Sequence, residues 1–172
     1  MPHHDRELRR RCRAVLKRLP LPHPFSVEAL CRSLAEERGR PLYTHPLPTQ
    51  AVAAGACGLW LATPAGDHIF SEVGTSRPHQ EHIMLHEIGH MLFDHHTVTA
   101  GGADPVRALL PDLDGQLVER LLARTSYTTQ QEREAEILAS LIRIEAAKAS
   151  VGRRGGMSGL EEALGFGTSH DA

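Results

Sequence analysis

Residues 82–96 read His82-Ile83-Met84-Leu85-His86-Glu87-Ile88-Gly89-His90-Met91-Leu92-Phe93-Asp94-His95-His96, and the rest of the chain is arranged around them. On a helix, positions four apart share a face one turn apart, so His86 and His90 can offer two imidazoles to one ion. Glu87 lies about 100° further round, within reach of a water on that ion without being a ligand. With His86 at zero, Met84, Leu85, Ile88, Met91 and Leu92 fall between about 140° and 260°, an apolar stripe that predicts a buried face. His82, His86 and His90 fall on the other side. Gly89 is a poor helix former; beside the histidine face, its missing side chain leaves room for something to approach closely. The protein has 12 histidines, but a chance match would not set its histidines opposite a clean core stripe. The pattern His86-Glu87-x-x-His90 is that of zinc peptidases.

The rest of the composition is compatible with such an enzyme. A chain of 172 residues, 41% hydrophobic with a net charge of −2, is long enough for one domain with its own core. No apolar run reaches membrane-spanning length. The segment Asp5–Arg18 is charged and lacks the apolar stretch of a signal peptide, so a cytoplasmic location with no membrane partner is expected. Cys12, Cys31 and Cys57 are odd in number and far apart, and are read as reduced thiols in small core slots. Residues 1–20 carry a net charge of +5. If Leu8, Cys12, Val15, Leu16 and Leu19 turn inward, these arginines form a solvated helix face, and direct nucleic-acid binding is not expected.

Periodicity and breakers give an α+β order. Residues 5–19 form an amphipathic helix stopped by Pro20–Pro24. Ser26 caps a second helix that ends at Gly39. Pro41–Leu47 is a short strand. Cys57–Ala62 and His68–Val73 are the arms of a hairpin turning through Thr63–Asp67, giving a small antiparallel sheet. Helix 78–95 carries the motif, residues 97–112 form a long loop, and Asp114 caps a helix to Arg124. A last helix runs from Thr128 or Thr129 to Ser150. One domain spans 1–151, and 152–172 is expected to be a disordered tail.

A catalytic zinc takes three protein ligands and keeps one position open for water. Three sources could supply the third ligand. His96 follows His90 at the metzincin spacing, but that pattern needs a glycine at position 93, which is Phe93. His82 is on the right face, but three histidines on one straight helix span about 12 Å, too far to meet one ion. It is better read as exposed. His95 and His96 are read as surface residues at the helix end. That leaves the stretch 132–139, Glu-Arg-Glu-Ala-Glu-Ile-Leu-Ala, where Glu132 and Glu134 compete. The helix is apolar on two sides, so its wheel does not choose. Glu132 could instead complete a capping box with Thr129.

Here the chain resembles the ImmA/IrrE-type metallopeptidases, a gluzincin family. The resemblance covers roughly residues 8–145. It includes Pro-Phe-x-x-Glu-Ala-Leu-Cys at 24–31, the hairpin, Leu-His-Glu-Ile-Gly-His at 85–90, and 132–139 against a family pattern E-x-E-A-N-x-F-A. The chain departs from that pattern at Glu136, where Asn is usual, and at Leu138, where Phe is usual. The resemblance implies that Glu132 is the ligand and that Glu136 orients a zinc histidine from behind. It also implies Glu87 as general base and a zinc-dependent endopeptidase in the cytoplasm. Its substrate would be a helix-turn-helix repressor, in stress response and gene regulation. The alternative is a catalytically weak module of the same fold that binds a transcription regulator or nucleic acid; Glu136 and the basic first helix speak for it.

Overall fold

The computed structural model describes residues 2–95 and 127–163 of the chain. In order it has α1 (Pro2–Leu16), α2 (Val27–Arg38), β1 (Leu42–Pro46), α3 (Thr49–Ala53), β2 (Gly58–Thr63), β3 (Gly66–Ser71), α4 (Arg77–Leu92) and α5 (Thr129–Ala163). The architecture is α+β, as the sequence pattern predicts. The expected loop 97–112, the helix from Asp114 to Arg124 and His96 lie outside the described residues. No helix among the described residues is long and apolar enough to cross a membrane.

Local chemistry sets most of the boundaries. The Ser26 hydroxyl accepts the Ala29 N–H at 3.0 Å, and α2 stops at Gly39, whose φ of 58° is the left-handed conformation glycine tolerates. α4 begins behind Ser76 with Pro78 in its first turn. α3 lies in the Ala-rich stretch after Pro48, which carries no periodic signal. α5 continues to Ala163, past the Gly152 at which the expected tail begins.

The sheet order is β1-β3-β2. β2 and β3 form the antiparallel hairpin, but β1 runs parallel to β3, so the sheet is mixed rather than antiparallel throughout. A parallel pair needs a crossover of a dozen or more residues, and residues 47–65 supply it. The hairpin is tighter than expected, since Gly66 and Asp67 already belong to β3. Asp67 is buried and accepts hydrogen bonds from Trp60 Nε1 at 3.2 Å, Arg40 Nε at 3.0 Å and Arg38 at 3.3 Å. Those three donors hold in a strand a residue type that normally marks a turn.

Strand alternation sends side chains to two faces. Trp60 and Ile69 join α2, α4 and α5 in the main core with Leu30, Leu34, Leu85, Ile88, Met91, Leu138 and Ile142. Leu59, Leu61 and Phe70 face the other way and pack under Leu47 and Ala51. The apolar stripe read on α4 is buried apart from the half-buried Leu92, with Ile88 and Met91 at or below 1% exposure. Leu8 and Cys12 of α1 turn inward as expected. Cys31 is buried too, whereas Cys57 is exposed and fills no core slot.

α4 and α5 cross at Gly89. A Cβ there would lie 2.9 Å from Ala135 Cα and 3.1 Å from its carbonyl oxygen, both backbone atoms with no freedom to swing aside. Gly89→Ala gains up to about 1 kcal/mol of helix propensity but costs about 1–3 kcal/mol through overpacking. A net loss of roughly 1–2 kcal/mol in denaturant unfolding is expected; a gain in stability would show that the two helices have slack.

Candidate metal centre

Two elements build the site. α4 carries His86 and His90 on one face, and α5 brings Glu132 across the Gly89 crossing. His86 Nε2 lies 3.1 Å from His90 Nε2 and 3.1 Å from Glu132 Oε2, and His90 Nε2 lies 3.8 Å from Glu132 Oε1. One donor atom from each residue lies within 4.8 Å of the others, close enough to hold a metal ion. Donors about 2.0–2.1 Å from a tetrahedral ion sit about 3.3 Å apart, so the donor set fits. Burial, and secondarily the neighbouring His86 and His95, pull the His90 imidazolium down to about 3. His90 is therefore neutral across the physiological range, the form a metal requires.

The opposite ring nitrogens face partners behind the site. His86 Nδ1 lies 3.5 Å from Glu136 Oε2, which also meets His82 Nε2 at 3.0 Å. Burial would raise the Glu136 carboxyl, but the hydrogen bond from His82 and the proximity of His86 outweigh it and lower the pKa. His90 Nδ1 lies 3.0 Å from His95 Nδ1. Glu134 points away from the three donors: Oε2 meets His95 Nε2 at 2.9 Å and Oε1 meets Arg11 at 2.5 Å. Of the two rivals, Glu132 stands with the histidines and Glu134 does not.

His95 corrects the expectation of a surface residue, being 5% exposed. The helix ends at Phe93, and Asp94 takes a φ of 56°, which folds His95 back so that its N–H reaches His90 O at 3.0 Å. Asp is among the non-glycine residues that tolerate this conformation best. Nothing in the helical periodicity signals it, because the reversal begins where the period stops.

Comparison with protein-family models, curated proteins and solved structures returns no match. Beside the donors opens a cleft of about 650 Å³ lined by residues 54–59, His82, Ile83, His86, Glu87, His90, Tyr127 and Glu132. Tyr127 stacks on the His90 ring, with centroids 3.5 Å apart. Tyr127 and His82 both present polar groups to this cleft. His95 lies behind His90, and Arg77 pairs with Glu81 at an exposed site.

Glu87 is 5% exposed, and its Oε2 has no hydrogen-bond partner among the described residues. A Cβ on Gly58 of β2 would come within 2.6 Å of Glu87 Oε1, so the carboxyl occupies space that only glycine leaves open. The spacing of Gly58 from the motif gives no hint of this contact. Burial, then the charge of Glu132, push the Glu87 carboxyl up to about 8, against a lesser lowering by the Trp60 N–H. A cation among the donors would reverse part of that shift by favouring the carboxylate. A buried carboxyl oxygen without a hydrogen-bond partner among the described residues thus stands beside three converging donors.

The sign of the pH effect follows. A folded-state value above the unfolded one means the folded protein binds the Glu87 proton more tightly, so stability falls as pH rises from about 4.5 to about 8. His90 acts oppositely, but only below its unfolded value of 6.5. Between pH 6.5 and 8, chelator-treated protein should lose up to about 1.4 kcal/mol per pH unit through Glu87. Glu87→Gln should flatten that slope in unfolding measured at both pH values; an unchanged slope would place the cost elsewhere.

Proposed function

We propose that the chain is a zinc-dependent endopeptidase of the ImmA/IrrE type. The observation that carries this reading is the convergence of His86, His90 and Glu132 beside the partnerless Glu87 Oε2, in an open cleft. Zn²⁺ suits two imidazoles and a carboxylate and supplies a Lewis acid that polarises a carbonyl and acidifies water. The residues do the rest. Glu87 Oε2 takes a proton from the attacking water and returns it to the departing amine nitrogen. Glu136 holds His86 by its Nδ1 side. Tyr127 and His82 offer polar groups to the carbonyl oxygen as it gains charge. β2 is an edge strand among the described residues, and an extended substrate can add to it by β-augmentation.

The substrate we infer is a helix-turn-helix repressor, since the resemblance at residues 24–31, 85–90 and 132–139 points there. A second reading, a binding module with weak or no activity, draws on Glu136, which puts a carboxylate 3.5 Å from His86 Nδ1 where the family pattern has an amide. One experiment separates the two. Wild type and Glu87→Gln are analysed for bound zinc, then incubated with helix-turn-helix repressors from the same genome. Zinc near one equivalent in both, with cleavage slowed about 10²–10⁴-fold in the variant, is the expected result. Equal cleavage by both would remove Glu87 as the base. A stable complex that neither protein cleaves would favour the binding module.

A further inference from the structure

The row His90, His95, Glu134 and Arg11, buried as far as the half-exposed Arg11, is not needed for the donor geometry of the metal centre. His90, His95 and Glu134 are 0%, 5% and 3% exposed, and the chain of contacts joins α1 to α5 and α5 to the motif helix. Its successive distances are 3.0 Å from His90 Nδ1 to His95 Nδ1, 2.9 Å from His95 Nε2 to Glu134 Oε2, and 2.5 Å from Glu134 Oε1 to Arg11.

The row has a direction. Arg11 only donates, and an ionised carboxylate only accepts. Glu134 beside Arg11 therefore requires a proton on His95 Nε2. In neutral His95 that leaves Nδ1 bare, an acceptor facing His90 Nδ1. His90 must then carry its own proton on Nδ1, which leaves Nε2 free. Nε2 is the nitrogen that stands 3.1 Å from His86 Nε2 and 3.8 Å from Glu132. An arginine on the first helix thus selects, through two intermediates, the tautomer in which His90 can bind a metal.

We propose that Arg11, Glu134 and His95 are positioning residues that hold His90 in its metal-binding tautomer and orientation. This rests on the metal-centre reading above and adds to it a role for α1. A bland role, tying α1 to α5, would need only the Arg11–Glu134 pair. It would not need a non-glycine residue in the left-handed region at Asp94 to bring an imidazole between that pair and His90. It also leaves unexplained why a carboxylate 4% exposed is retained at a place an apolar side chain could fill.

The test uses Zn²⁺ and the full chain. Zinc affinity is measured by chelator competition for wild type, Glu134→Gln and Arg11→Ala, alongside thermal unfolding of each in chelator. The Gln amide can turn its NH₂ toward His95 and reverse the row, so a 10–100-fold weaker zinc affinity is expected for Glu134→Gln. Arg11→Ala leaves the carboxylate and should lose less, about 3–10-fold. A structural tie alone would lower the metal-free unfolding temperature and leave zinc affinity within twofold, and that result overturns the proposal. Imidazole ¹⁵N spectra of zinc-loaded wild type read the tautomers without any variant: His90 protonated at Nδ1 and His95 at Nε2 are expected. His95 protonated at Nδ1 instead would also overturn it. Wild type that binds no zinc would sink the metal-centre reading itself, a failure visible before any variant is made.

Discussion

Gly89 against Ala135 is the contact on which the rest of the structure depends. Two histidines on one helix can approach one ion, but a third ligand cannot come from the same straight helix and must arrive from outside. It comes from α5, and α5 comes close enough because a glycine at the crossing lets backbone meet backbone. The crossing also sorts the three glutamates nearest Ala135 on α5. At about 100° per residue, Glu132 and Glu136 fall on one side of Ala135 and Glu134 on the other. The first pair face His86, His90 and His82, whereas Glu134 faces α1. One point of approach thus gives the carboxylates their separate partners.

Electrostatically the site is costly without a cation. Glu87 is held in a buried pocket where its neutral form is favoured, and the charge of Glu132 adds to the cost of ionising it. His90 is held neutral by the same burial. The two shifts run in opposite directions because burial disfavours either charge, and such shifts gathered in one place are commoner at functional sites than elsewhere. They also make the local structure a reservoir of destabilisation that a bound divalent ion would relieve.

Much of this was legible in the sequence, for a definite reason. The spacing of His86, Glu87 and His90, the stripe Met84, Leu85, Ile88, Met91 and Leu92, and the hairpin all depend on local periods, and local periods are written in the residue order. Gly89 was legible as a place of close approach, although its partner Ala135 was not. The choice between Glu132 and Glu134 depends on which residue of α5 sits at the crossing, and an ambiguous wheel does not contain that. The parallel placement of β1 depends on a crossover rather than on the strand itself. Asp67 in a strand and His95 in the interior depend on distant arginines: Arg38 and Arg40 for one, and Arg11, through Glu134, for the other. Both residues read as polar punctuation when only their neighbours in sequence are considered.

The motif helix is therefore held by approaches on two sides that each exclude a Cβ. Gly89 admits α5, and Gly58 of β2 admits the Glu87 carboxyl. These do different things. The first sets where the donors converge and tolerates nothing, because the opposing atoms are backbone. The second sets how near the carboxyl stands to the edge of the sheet, and the opposing atoms are the ends of side chains, Glu87 Oε1 and Ile83 Cγ2. A bulkier residue at 58 would leave the donor triangle in place and displace the Glu87 carboxyl. The two approaches meet opposite flanks of one helix, Gly89 lying about 160° round from Glu87, so each is adjustable without the other.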